Sequence, residues 1–269
     1  MNYTDIGMRA HDLPANTPAD LRDCAKKHGI DYVQLALRKS FNTIDWTNHT
    51  FSVGLAEKIK RDLGDLRISV LGSYIDLAAE GEAWEGAKAV FCQNMLFAKY
   101  LNAGVVGTET GVRRHEGTEE EYNRVVKNTR ELADVAEKLG VMIGIEGVEA
   151  HPIKTPEMMR RFLDDVNSPN VLTILDPINY LCDDNCENQD EILIKSFELL
   201  SDKLTAIHLK DFDVIDGKFR NVQIGTGKFN YKLLMECVAK YKPGIDMLLE
   251  GSNADLCEDA VKYILSFAE

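Results

Sequence analysis

Four side chains able to bind a cation or carry a proton stand at the downstream ends of four successive apolar runs. Glu146 closes VMIGIE, Asp176 closes VLTILD, His208 closes the apolar part of LTAIHLKD, and Glu250 closes IDMLLE. The intervals between them are 30, 32 and 42 residues, each about the length of one strand–helix unit. Three carboxylates and one imidazole suit a single divalent metal of hard or borderline character: Mn²⁺, Mg²⁺, Co²⁺ or Zn²⁺. Packed together without a cation or a proton, the carboxylates would repel one another and at least one pKa would rise. Taken singly, each residue has an ordinary explanation. A strand-end glutamate is usually solvated, Asp176 before Pro177 can start a turn, and His208 can be a core histidine. The shared register of the four carries the metal reading.

Such convergence requires strands that run in parallel and deliver their C-terminal ends to one rim. The chain alternates accordingly. Short apolar runs predict strands near 4–8, 31–36, 67–72, 104–107, 141–146, 171–175, 204–209 and 245–249. Amphipathic stretches predict helices near 18–28, 51–62, 84–102, 118–139, 155–165, 189–200, 230–240 and 254–267. Thr17-Pro18 and Thr155-Pro156 are helix starts, and Thr118 with Glu121 forms a capping box. Gly29, Gly64, Gly104 and Gly140 are the expected left-handed stops. Eight strand–helix pairs predict an α/β fold, a single (β/α)8 barrel over residues 1–269. A doubly wound open sheet usually has fewer units and a glycine-rich first turn, absent here.

Further residues share the rim. Lys210 follows His208 by two, so a continuing strand turns both to one face, where the lysine binds a substrate oxygen or pairs with Asp211. Arg9 and His11 have the same phase after the first strand and are candidates to reach a substrate. Glu109, in GTETG, is a further hydrogen-bonding acid or an ordinary loop acid. His151 either supports the metal ligands or caps the next helix, the latter slightly preferred. Gly225-Thr226-Gly227 reads as a tight turn, since phosphate loops need more glycines at set spacing; Lys228 beside it keeps a phosphate contact open. Cys182 and Cys186 lack a second Cys/His pair and read as ordinary thiols. Glu119-Glu120-Glu121 opens a helix as a solvated face, and Arg113-Arg114-His115 is the one compact basic cluster.

Bulk properties narrow the class. A formal charge of -13 opposes general affinity for nucleic acid. No apolar run approaches the roughly 20 residues of a membrane span, and the start MNYTDIGMRAHDL lacks the apolar segment of a signal peptide. Six scattered cysteines then read as reduced thiols, and the expectation is a cytoplasmic protein without nucleic-acid or membrane partners.

The segments IEGVEAHPIKTPE, LDPINYL, IHLKDFD, IGTGKFNY and LLEGS resemble the sugar-phosphate isomerase/epimerase family, the xylose-isomerase-like TIM barrels. The likeness runs over essentially the whole chain. It implies one divalent metal held by Glu146, Asp176, His208 and Glu250, the four residues already selected by register. It also implies that Glu146 and Glu250 act as catalytic acid and base. The reaction would be proton abstraction alpha to a carbonyl, through a metal-stabilised enediolate, on a small-molecule carbohydrate. Homo-oligomers are common in that family. Asn179 departs from the pattern of its ketose epimerases, which place a histidine three residues after the metal aspartate. Asparagine hydrogen-bonds a hydroxyl but shuttles no proton near neutral pH. Alternatives on the same site are a dehydratase of inosose-type polyols, an abasic-site endonuclease, disfavoured by six histidines and the negative charge, and a non-catalytic sugar-binding barrel.

Overall fold

A computed structural model of the protein describes residues 6–44, 46, 51–112 and 115–268. Eight parallel strands close a barrel: β1 (Gly7–Arg9), β2 (Tyr32–Leu35), β3 (Arg67–Gly72), β4 (Val105–Glu109), β5 (Met142–Glu146), β6 (Val171–Leu175), β7 (Leu204–Leu209) and β10 (Asp246–Leu249). Around the barrel the order is β1-β10-β7-β6-β5-β4-β3-β2. The helices are α1 (Pro18–Lys27), the single turn α2 (Leu37–Ser40), α3 (Val53–Leu63), α4 (Gly81–Leu101), α5 (Glu119–Leu139), α6 (Pro156–Val166), α7 (Gln189–Leu200), α8 (Tyr231–Tyr241) and α9 (Cys257–Leu265). Residues 4 and 5 of the first expected strand lie outside the described residues, as do Arg113 and Arg114.

Local chemistry sets the helix ends. Thr17 and Thr155 accept from the backbone N–H of Asp20 and Met158 in front of a first-turn proline. Thr118 and Glu121 make the reciprocal capping box, and Gly140 ends α5 in the left-handed conformation. Gly104 does not stop α4. Asn102 does, at φ 58°, because asparagine also tolerates that region and lies at the helix end. On α6, Met159, Phe162, Leu163 and Val166 are buried at helical spacing against the barrel.

Alternation divides each strand between two cores. Outward residues such as Ile143, Ile145, Leu175, Ile207 and Leu249 join the large core beneath the helices. Tyr32, Val70, Ile174, Ala206 and Leu248 form a separate cluster that fills the barrel interior. Gly107 and Gly144 make room for it: a Cβ on Gly144 would stand 2.9 Å from Ile174 Cγ1, and one on Gly107 2.7 Å from Val70 Cγ1. Asp246 lies on the inner face of β10 at the N-terminal end, where its carboxylate accepts from Arg67 and Ser69. Two residues apart on that face, Asp246, Leu248 and Glu250 run from the base through the core to the opposite rim.

The sequence reading missed a two-stranded antiparallel hairpin after β7, made of β8 (Asp211–Ile215) and β9 (Lys218–Val222). Asp216 and Gly217, at φ 52° and 71°, form its two-residue turn, an Asp-Gly signal of the tightest hairpins. No helix among the described residues is long and apolar enough to cross a membrane.

Candidate metal and proton-transfer site

At the C-terminal rim the four register-selected residues meet. Glu146 ends β5, Asp176 follows β6, His208 lies near the end of β7 and Glu250 follows β10. One ligand atom from each lies within 4.8 Å of the others. Three of the four are buried, and Glu250 is nearly so. His208 Nδ1 stands 3.3 Å from Glu146 Oε1 and 3.2 Å from Glu250 Oε2, yet has no aligned hydrogen bond.

The neighbours fix each carboxylate. Asp176 Oδ1 accepts from the backbone N–H groups of Ile178 and Asn179, as a turn-starting aspartate does, while Oδ2 faces Lys210 Nζ at 2.8 Å. Glu146 Oε1 accepts from Asn179 Nδ2 at 2.6 Å, and Asn179 Oδ1 accepts from Lys210. Glu250 Oε1 accepts from Arg9 at 2.6 Å and faces Lys210 at 2.9 Å. Arg9 is itself clamped by Asp12 through two nitrogens.

The charges respond to one another. Burial alone would lower the His208 pKa, but the Glu146 and Glu250 carboxylates outweigh it and push it up to about 10. Burial favours a neutral Glu250, but His208, Lys210 and Arg9 hold its carboxyl well below the usual range. Burial raises Asp176, against the pull of Lys210. The field that draws a proton to His208 Nδ1 draws a divalent cation to the same atom. Three carboxylate oxygens and an unbonded, buried imidazole nitrogen at one point fit such an ion.

The other expected residues are distributed around this centre. Lys210 is paired with Asp176 and Glu250 rather than Asp211. Asp211 is buried with its carboxylate turned to the backbone N–H groups of Phe212, Gly225, Gly227 and Phe229. Those bonds make the Gly-Thr-Gly segment a tight turn. A Cβ on Gly227 would collide with Asp211 Oδ1 and the Phe212 carbonyl, and Lys228 is paired with Asp213. Glu109 stands beside Glu146 in the β4–β5 register. Burial first, then Glu146 and Glu250, push its pKa up to about 7.

His151 does not cap α6, whose cap is Thr155. It lies buried with Nδ1 3.3 Å from Glu109 Oε2. His11 lies half-buried in the turn after β1, where burial and Arg9 lower its pKa. The acidic run is no purely solvated face, since Glu119 pairs with Arg161 and Glu121 with His115. Cys182 and Cys186 stand among six free cysteines. Sequence reasoning missed Gln34, whose Oε1 lies 2.5 Å from His208 Nε2, and Tyr74, whose hydroxyl accepts from Gln34 Nε2. The available signal was a polar residue in the otherwise apolar end of YVQL, in phase with the inward Tyr32.

The profile of the xylose isomerase-like TIM barrel family matches residues 23–267. The chain belongs to that family. The chain is 26% identical over 248 residues to a probable L-ribulose-5-phosphate 3-epimerase, UlaE, of Mycoplasma pneumoniae, covering 89% of this chain and 78% of the relative. The fold matches the zinc-binding IolI protein with a TM-score of 0.77 at 18% identity, over 98% of both chains. It matches an L-ribulose 3-epimerase with a TM-score of 0.75 at 15% identity, over 98% of this chain and 94% of that one.

Proposed function

We propose that this protein is a divalent-metal-dependent isomerase or epimerase of a sugar or sugar phosphate. The observation that carries the reading is the approach of two differently held glutamates, Glu146 and Glu250, to one point flanked by His208 and Asp176. Membership of the xylose isomerase-like TIM barrel family and a relative named as a probable ketose-phosphate epimerase support it. Glu146, Asp176, His208 and Glu250 would hold a divalent ion, which would supply Lewis acidity toward the substrate carbonyl.

The chain's own residues then handle the protons. One glutamate removes the proton from the carbon alpha to the substrate carbonyl, and the other delivers a proton to that carbon or its neighbour. Asn179 orients Glu146 through Oε1, and Arg9 orients Glu250 through Oε1, leaving its Oε2 toward the centre. Lys210 offers its ammonium to a substrate oxygen from between Asp176 and Glu250.

A second reading rests on Glu109. An aldose–ketose isomerisation must also move a proton between two substrate oxygens, and a dehydration must protonate a departing hydroxyl. Inversion at one carbon needs neither step in net. Glu109 beside Glu146, with His151 behind it, is placed for such oxygen protonation and favours isomerisation or polyol dehydration on the same centre.

The test is turnover by protein reconstituted with Mn²⁺, Mg²⁺, Co²⁺ or Zn²⁺. Ketoses, aldoses, their 5-phosphates and cyclic polyol ketones are each followed by NMR in D₂O. Solvent deuterium should appear on carbon next to the carbonyl, and Glu146→Gln or Glu250→Gln should cut turnover by about 10²–10⁴-fold. Near-normal turnover in either variant refutes the two-base assignment.

A further inference from the structure

His208 is buried at 1% exposure, and its Nε2 lies 2.5 Å from the side-chain oxygen of Gln34, itself 2% exposed. A carboxamide oxygen only accepts, so this contact requires the imidazole proton on Nε2. The lone pair of the neutral ring then sits on Nδ1, the atom that faces Glu146 and Glu250 without an aligned hydrogen bond. The carboxamide nitrogen of Gln34 donates to the Tyr74 hydroxyl at 2.8 Å. Turned the other way, the amide would present N–H groups to Nε2 and drive the imidazole proton onto Nδ1. That proton would occupy the point on which the four ligand atoms converge.

We infer that Gln34 is a positioning residue that dedicates His208 Nδ1 to a metal ion. The inference rests on the metal-centre reading above and extends it to a strand, β2, that contributes no ligand. β2 lies beyond both β10 and β1 from the histidine's own strand, so only closure of the barrel brings the two side chains together. Gln34 interrupts an apolar strand and spends both ends of its amide on side chains of the mouth. Partners of this kind set the tautomer and direction of a ligating histidine, and their loss typically weakens metal binding by about 10–100-fold.

The experiment measures Mn²⁺ binding to the full chain by calorimetry, without substrate, for wild type, Gln34→Leu, Gln34→Glu and His208→Ala. Long-range ¹H–¹⁵N spectra of the Zn²⁺-loaded proteins report the His208 tautomer. Gln34→Leu should weaken Mn²⁺ binding by about 10–100-fold. Gln34→Glu keeps an acceptor at the same place and should retain both the tautomer and near-wild-type affinity. Wild-type affinity in Gln34→Leu overturns the role. So does a Gln34→Glu variant weakened as much as Gln34→Leu, because shape rather than the hydrogen bond would then be what matters.

If Gln34→Leu fails to fold, Gln34→Glu decides alone: the Nε2–H tautomer with retained affinity upholds the inference, and its loss refutes it. The reading beneath it is tested separately. Wild type that binds no Mn²⁺ removes the metal centre and this role together. His208→Ala binding Mn²⁺ as tightly as wild type removes this role and leaves the carboxylate centre standing.

Discussion

The Arg9 guanidinium holds Glu250 Oε1 at 2.6 Å, and this leaves Glu250 Oε2 3.2 Å from His208 Nδ1. The arginine is held in turn by Asp12, through Nε at 2.8 Å and Nη2 at 3.0 Å. A planar fork can serve both acids at once, whereas a lysine ammonium cannot keep that geometry. Arg9→Lys should therefore lower kcat/KM by about 10–100-fold. That is the equivalent of one charge-assisted hydrogen bond of about 1.5–3 kcal/mol. Steady-state kinetics on the metal-loaded enzyme check it, and an unchanged kcat/KM would show that Glu250 needs no such support.

Asn179 links Glu146 to Lys210, donating to the first at 2.6 Å and accepting from the second at 3.0 Å. Asn179→Ala leaves both charged partners short of a bond. The expected fall in kcat/KM is again about 10-fold or more, with the fall in kcat exceeding any rise in KM, because the proposed mechanism has Glu146 act on the reacting carbon. A change in KM alone would mean that Asn179 serves binding and does not orient the base.

The barrel interior has no spare volume at Gly144. A methyl group there meets Ile174 Cγ1 at 2.9 Å and Val105 Cγ1 at 3.1 Å, on rigid neighbouring strands. Gly144→Ala should cost about 1–3 kcal/mol in denaturant unfolding. Gly104→Ala is the control, since nothing stands within 4 Å of its Cβ position. A Gly144→Ala protein as stable as that control would refute the packing assigned to the interior.

Asp246 ties the base of the barrel to Arg67 and Ser69. Burial pushes its pKa up, but the bonds from Arg67 and Ser69 prevail, and the folded value lies below the ordinary one. A carboxyl lowered by folding contributes stability fully above its unfolded pKa of about 3.9, and that contribution is lost as pH falls through the folded value. Asp246→Asn should cost about 1 kcal/mol near neutrality, reduced by the half-exposed Arg67, and progressively less as pH falls through the folded value. Unfolding free energies measured across that range should converge. Parallel curves would contradict the assignment.

The barrel and its centre were largely legible in the chain. Apolar runs with alternating faces marked all eight barrel strands, and ligand-type residues at their ends marked Glu146, Asp176, His208 and Glu250. Pro18, Pro156 and the Thr118–Glu121 pair marked helix starts, because capping is local chemistry between residues three or four apart. The hairpin of β8 and β9 was also written locally, in Asp216-Gly217, but its strands are only partly apolar.

By itself, the sequence determined that Glu146, Asp176, His208 and Glu250 share the inward phase of their strands, because strand alternation depends only on counting. Tertiary structure alone decided which side chains touch. Arg9 meets Glu250 across 241 residues of chain, and Gln34 meets His208 across 174. The pairing of Lys210 with Asp176 and Glu250 rather than Asp211 likewise depends on where the loop after β7 turns Asp211 toward four backbone N–H groups. Such contacts arise from barrel closure and from competition for hydrogen bonds among buried groups, and neither leaves a periodic trace in the order of residues.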